Sequence, residues 1–418
     1  MLIGAIAAAL DIVEGELLGA STHHGKRIAV LCSAMGRNLG FSDEDISGLI
    51  TCALFHDSAL TEYILSEREG HHERMSNLRR HCELGQRNVD SLLLKTDVSG
   101  FVLYHHERAD GSGPFGKKNG EFPLGAELIA IADSIDVTYH LQRVQAEDLS
   151  ELRRRIAANA GEIYTPFAAE ALLTALDQTM LLSLADHRIV DTVEKLIPPW
   201  TVDMDNRLIL NLGELASRVI DYKSPFTRRH STGIAEKAWI MGTYYEYDQS
   251  RLAELFLAAS LHDIGKLAVP TEILEKPGKL DAREFDIIKG HVYHTYKLLE
   301  GIQGFERIRD WASNHHEKLN GSGYPFGKKA ADLDFNSRLM ACLDIYQAVR
   351  EERPYHPARD HGAAMAILFD MAKKREIDMD IVKDIDRALG VASGIPIRPS
   401  ETWTEAVLEG SRQNDLAG

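Results

Sequence analysis

The chain has 418 residues, 44% hydrophobic and 26% charged, a soluble globular composition that excludes disorder and collagen-like folds. That length exceeds one ordinary core and calls for two domains. Lys and Arg number 47 against 63 Asp and Glu, a net charge of −16, which excludes polymeric DNA or RNA as a partner but allows a small anion held through metal ions or a few local cations.

The apolar start, Met1 to Leu10, lacks a basic leading segment and runs at once into Asp11, Glu14 and Glu16, so it does not read as a signal peptide. Helical periodicity then dominates. Apolar residues recur at three and four over Ile46–Leu54, Ala168–Leu182, Arg251–Leu261 and Ala363–Met371, and clean apolar–polar alternation is hard to find. The paired prolines of Ile197-Pro198-Pro199-Trp200-Thr201 cannot continue a helix and mark a boundary, giving domains over 1–197 and 203–418. Gly/Pro-rich loops interrupt at Lys276-Pro277-Gly278 and at two Gly-Ser-Gly segments. The fold class expected is all-α, two helical domains in series. Cys32, Cys52, Cys82 and Cys342 form no CxxC pair and fit reduced thiols, and no run approaches the roughly 20 apolar residues of a membrane helix, so a cytoplasmic, membrane-free protein is expected.

The 18 histidines are not scattered. His24, His56 and Asp57 are matched by His230, His262 and Asp263, each 206 positions later. His81, His105, His106 and Glu107 are matched by His291, His315, His316 and Glu317 at an offset of 210, and Asp133 by Asp344 at 211. The last shift arises because Gly111-Ser112-Gly113-Pro114-Phe115-Gly116 aligns with Gly321-Ser322-Gly323-Tyr324-Pro325-Phe326-Gly327, one tyrosine longer. The chain is a tandem duplication.

Imidazole and carboxylate in register suit Fe, Mn, Zn, Co or Ni, and no cysteine repeats with them. An isolated histidine is ordinarily a core or surface residue, and His71, His72, His140, His187, His356 and His361 are read so. Lys117-Lys118 and Lys328-Lys329 read as solvated loop charges and Cys342 as helix packing. The repeated set differs, since structural histidines have no reason to recur with an aspartate. Seven ligands are too many for one ion and suit two, the usual clamp for phosphoryl chemistry.

The second half resembles the HD-GYP branch of the HD metal-dependent phosphohydrolases. The resemblance rests on Leu261-His262-Asp263-Ile264-Gly265-Lys266, on His315-His316-Glu317-Lys318-Leu319-Asn320-Gly321-Ser322-Gly323-Tyr324-Pro325, on Asp344, and on Arg353-Pro354-Tyr355. It implies metal ligands at His230, His262, Asp263, His291, His315, His316 and Asp344, with Asp263 bridging two divalent ions, Fe or Mn favoured. It implies a catalytic role for Asp263 and Lys266, the latter facing the scissile phosphate, and substrate contacts from Lys266, Gly323, Tyr324, Pro325 and Arg353. Phe226 stands where some members carry a glutamate that supports a third metal, so two are expected. The activity implied is hydrolysis of a cyclic dinucleotide by a hydroxide held between the metals. Cyclic di-GMP is the leading substrate and mixed cyclic GMP–AMP the alternative.

The first half resembles the same domain in degenerate form. His24, His56, Asp57, His81, His105, His106 and Asp133 form a second set that could hold another metal pair, but Leu60 stands for Lys266, Gly113-Pro114 lacks the tyrosine, and Gln142 stands for Arg353. A metal-binding or structural partner domain is expected. Two other readings stay open for the chain: a cyclic-dinucleotide sensor without turnover, and a di-iron oxygenase of the HD type. A homodimer or a signalling protein partner also stays open.

Overall fold

The computed structural model describes residues 6–7, 10–11, 23–60, 74–92, 94–196, 206–223, 230–351 and 358–391. Their regular structure is helical, and the bridge pairings among them are two isolated ones, Ala160 with Tyr164 and Asn320 with Lys329. The chain divides into two units, Met1–Val202 and Asp203–Gly418; the Pro198-Pro199 stretch that suggested the boundary lies outside the described residues. No described helix is long and apolar enough to cross a membrane.

The first unit carries α1 (His24–Asn38), α2 (Asp43–Phe55), α3 (Arg74–Asp90), α4 (Leu124–Tyr139), α5 (Leu149–Ala158), α6 (Pro166–Ala175), α7 (Gln178–Ser183) and α8 (Asp186–Leu196). The second carries α9 (Asn206–Tyr222), α10 (His230–Tyr244), α11 (Gln249–Leu261), α12 (Thr271–Leu274), α13 (Ala282–Leu299), α14 (Glu306–Ser313), α15 (Phe335–Arg350), α16 (His361–Lys373) and α17 (Met379–Val391). The apolar pattern over Ala168–Leu182 predicted one helix, but Leu176 is extended at ψ 91° and Asp177 caps a new helix through Met180 N–H, so the pattern spans α6 and α7.

The duplication extends to helix ends. Ser42 caps α2 by accepting from Asp45 N–H, and Asp248, 206 positions later, caps α11 by accepting from Arg251 N–H. Both helices run 13 residues and end at the His-Asp pair. A side-chain cap fixes where each helix starts, and its length then fixes where the pair emerges. The first-histidine helices are seated alike: buried Asp11 accepts from Gly25 N–H at 3.1 Å, and buried Asp221 from Ser231 N–H at 3.0 Å and Thr232 N–H at 3.2 Å. In the first unit α1 packs on α2, α4 and α6; in the second α10 packs on α11, α15 and α17.

One core exchange separates the units. Arg27 grips Asp136 with Nε–Oδ1 at 2.7 Å and Nη2–Oδ2 at 3.1 Å, both side chains fully buried. The matching positions hold Gly233 and Gln347, and a Cβ on Gly233 would sit 2.3 Å from Gln347 Nε2. The guanidinium of one unit thus became empty space filled by an amide in the other. Removing one partner strands a charge in a dry core. Asp136→Ala should therefore cost the first unit about 3–5 kcal/mol in denaturant unfolding, and a loss under about 1 kcal/mol would contradict the role given to this pair.

Candidate metal centres

In the second unit the His-Asp pair lies at the C-terminal end of α11, where His262 and Asp263 are 0% and 1% exposed. Around the Asp263 carboxylate, Oδ2 lies 3.1 Å from His262 Nε2 and 3.5 Å from His230 Nε2, while Oδ1 lies 3.3 Å from His291 Nε2 and 3.9 Å from His315 Nε2. Asp344 on α15 completes the ring, with Oδ1 3.2 Å from His230 Nε2 and Oδ2 3.5 Å from His316 Nδ1. Four helices and the loop after α14 thus bring all seven predicted ligands into one cluster. Each Asp263 oxygen faces two of the histidines, an arrangement that would suit a carboxylate shared between two ions.

The backbone sets the tautomers. His262 Nδ1 donates to Ala259 O at 2.7 Å, His291 Nδ1 to Ile288 O at 2.5 Å, and His315 Nδ1 to Ala312 O at 2.7 Å. Each partner lies three residues earlier, so the helical turn itself holds the proton on Nδ1 and turns the Nε2 lone pair inward. His230 is held from outside the helix instead, by Glu351 Oε2 at 2.9 Å from Nδ1. His262 Nε2 and Asp263 Oδ1 are buried with no hydrogen-bond partner. Orphaned acceptors at the centre of an imidazole cluster are what a metal ion would satisfy, so the residues fit such a group.

The electrostatics favour ligand forms at Asp263, His315 and His316, and a protonated ring at His230. Burial pushes the Asp263 carboxyl up, but His262, Lys266 and His291 outweigh it and hold it well below the usual range. Burial pushes His315 well down and lowers His316 to about 4, so both rings stay neutral with lone pairs available. Burial also opposes charge on His230, but Asp344 and Glu351 raise it to about 9.

Lys266 Nζ lies 2.5 Å from Asp263 Oδ2, on the short helical turn that follows the pair. Tyr324 stacks its ring 4.8 Å from His316, and Gly323 allows the loop its approach, since a Cβ there would lie 2.4 Å from Lys318 N. Arg353 and Phe226 lie outside the described residues.

Sequence reasoning gave three structural residues no role. Glu317, 2% exposed, accepts from Phe326 N–H at 2.7 Å and Lys328 N–H at 2.9 Å, tying the Gly-Tyr-Pro loop to the paired histidines. Its recurrence as Glu107 was the available signal; Glu107 accepts from Phe115 and Lys117 N–H at 2.6 Å each. Glu351 carried no repeated signal, because the first unit orients His24 with Asp136, whose Oδ2 is 2.6 Å from His24 Nδ1. Thr295, where a glycine is common, donates to His262 O at 3.0 Å and accepts from Gly265 N–H at 3.1 Å. The matching positions in the first unit are Gly85 and Ala59, so small and larger residues have traded sides.

The first unit reproduces the ring. His24 Nε2 lies 3.2 Å from Asp133 Oδ1; His81 Nε2 and His105 Nε2 lie 3.1 and 3.8 Å from Asp57 Oδ1; His56 Nε2 lies 3.5 Å from Asp57 Oδ2; and His106 Nδ1 lies 3.9 Å from Asp133 Oδ2. His56 Nε2, His105 Nε2 and Asp57 Oδ1 are buried without a hydrogen-bond partner, so this set also fits metal. Leu60, 8% exposed, lines the adjoining cavity where the second unit carries Lys266.

The packing around Gly265 leads to a sharp expectation. A Cβ there would lie 1.9 Å from His291 O, so Gly265→Ala must push α13 and its ligand away. Elemental analysis should show the second repeat's metal lost from this variant, whereas Glu317→Gln should keep the metal and lower kcat at least about tenfold by freeing the loop. Full metal in Gly265→Ala would contradict the packing described.

The HD domain model matches residues 14–161 and 214–381. The 3′3′-cGAMP-specific phosphodiesterase 1 of Vibrio cholerae is 27% identical over 375 residues, covering 87% of this chain and 85% of that protein. The cyclic di-GMP phosphodiesterase response regulator RpfG of Xanthomonas campestris pv. campestris is 30% identical over 180 residues, 40% of this chain and 48% of that one. A crystal structure of a cyclic GMP–AMP-specific phosphodiesterase of V. cholerae, V-cGAP3, aligns with a TM-score of 0.64 over 93% of this chain and 97% of that one, and at 22% identity this likeness speaks to the fold. With the family model spanning both repeats, the chain belongs to the HD domain family as a tandem pair of its domains.

Proposed function

We propose that this protein is a metal-dependent phosphodiesterase that opens a cyclic dinucleotide at the centre in its second repeat. The observation that carries this reading is the Lys266 ammonium 2.5 Å from Asp263, a cation set against a ring of seven metal-type ligands. A pair of divalent ions held there would supply an activated water and a grip on phosphate oxygens. The nitrogen and carboxylate donors, without thiolate, support iron or manganese among the candidates.

The chain's own groups do the rest. Asp263 and Asp344 bring two carboxylates to the cluster, and the carbonyl-anchored imidazoles point their Nε2 lone pairs to fixed places. Lys266 meets negative charge as the bond to the 3′ oxygen breaks, which is where a fixed cation lowers the barrier. The loop of Gly323, Tyr324 and Pro325, stapled by Glu317, stands beside the paired histidines as a wall for the substrate. The Lys266 position speaks for phosphate rather than oxygen chemistry. Four buried free cysteines suit the reducing interior of a cell and support a cytoplasmic place.

The family resemblance puts cyclic di-GMP first. Two relatives that span most of the chain are named for 3′3′-cGAMP, whereas a cyclic di-GMP relative matches 40% of it, and this supports the mixed dinucleotide. Turnover of both by the metal-loaded protein should give the mixed dinucleotide a kcat/KM at least about tenfold higher, a margin of roughly one good hydrogen bond; a preference for cyclic di-GMP would reverse that choice. Lys266→Ala should keep its metal and lose about 10²–10³-fold in kcat, the scale of removing one group that stabilises developing charge. A binding module without turnover would instead show tight binding and no product in the wild type.

A further inference from the structure

We propose that the first repeat is a binding site for a guanine nucleoside monophosphate, seated in the cavity beside its own histidine–aspartate ring. This rests on reading that ring as metal-holding, and not on turnover in the second repeat. The cavity measures about 420 Å³, within the range of small-molecule sites. Asp57, His81, His105, His106 and Asp133 form one side of it.

The other walls differ from the second repeat in a consistent way. There, Lys318 pairs with Glu376 at 2.6 Å and Arg338 with Asp378 at 3.2 Å. The register is fixed by matching backbone bonds, Leu319 N–H to Glu376 O and Ala109 N–H to Ile163 O. The equivalent residues in the first repeat are Arg108 with Ile163 and Glu127 with Thr165, so the first pair has lost its acid, and in the second an acid stands for the arginine and a threonine for the aspartate. Arg108 is exposed and Glu127 is 8% exposed, and both line the cavity. Thr165 Oγ1–H holds Glu127 Oε2 at 2.7 Å, which leaves Oε1 for a ligand.

A carboxylate kept in a largely apolar wall without a cation needs donors brought to it. Leu60, Phe122, Ile131 and Val137 add apolar surface to the same cavity. A ligand complementary to these walls carries an anion for the metal side and Arg108, a planar apolar body, and paired N–H donors for Glu127. A phosphate monoester of a purine nucleoside supplies the first two, and guanine's N1–H and amino group supply the third, where adenine offers a single donor group. With Leu60 for Lys266 the described residues place no lysine beside Asp57, so the site is read as holding its ligand without turning it over.

Calorimetry on the full chain bearing Asp263→Ala, with His316→Ala as a second background in case the first folds poorly, isolates this site. Each background should retain the first repeat's metal, bind one GMP per chain, and bind AMP and inorganic phosphate at least about tenfold more weakly. Adding Glu127→Gln should weaken GMP about tenfold or more at unchanged metal content. Absence of GMP binding in both metal-loaded backgrounds, phosphate binding as tight as GMP, or indifference to Glu127→Gln would each overturn the proposal. Loss of all metal from both backgrounds would overturn it too. Cyclic-dinucleotide turnover by the wild type is read separately and would stand or fall on its own.

Discussion

A carboxylate that is 1% exposed cannot sit alone in a helical core, and Asp263 organises its domain because of that cost. Imidazoles reach it from the helix it terminates, from α10, from α13 and from the loop after α14, and Lys266 adds the only ammonium among these contacts in the described residues. Each element must arrive at a fixed depth and rotation for its ring to face inward. The cap at Asp248 sets the phase of α11, Asp221 seats α10, and the contact of Gly265 with the backbone of His291 sets how closely α13 approaches. The same logic recurs in the first repeat with Asp57, Ser42 and Asp11.

Because the two repeats share this constraint, their differences are informative. Five histidine–aspartate distances match their equivalents to within about half an ångström. What changed is the surroundings: Arg27 and Asp136 became Gly233 and Gln347, Ala59 and Gly85 became Gly265 and Thr295, and Leu60 stands for Lys266. A dry core tolerates such exchanges when volume and charge move together. Under the proposed function, retaining the ring with Leu60 in place of Lys266 keeps a place for anions without the cation that would meet charge as a bond breaks.

Much of this was legible in the residues. The ligand set stood out because histidine is rare and a duplication repeats it in register, and helical periodicity carried the all-α architecture. The tautomer-setting contacts were not read from the sequence, because whether an imidazole bonds the carbonyl three residues back, as His262 and His315 do, or a distant carboxylate, as His230 does, depends on its neighbours in the fold. Glu351 stayed hidden because the first repeat holds its first histidine from within α4, at Asp136, and the second from the residue just past α15. Glu317 was visible as a repeated residue, but its chemistry depends on two backbone N–H groups that return only when the loop folds back nine and eleven residues later. The cavity of the first repeat depends on pairs far apart in the chain, Arg108 with Ile163 and Glu127 with Thr165, a relation that spacing alone does not show.

The most direct test of the account is metal content per chain beside cyclic-dinucleotide turnover for the wild type, Asp263→Ala and Asp57→Ala. The account predicts about four metals with turnover in the wild type. It predicts about two without turnover in Asp263→Ala, and about two with turnover kept in Asp57→Ala. Metal bound at the second repeat with no hydrolysis of any cyclic dinucleotide, or hydrolysis that survives Asp263→Ala, would contradict it.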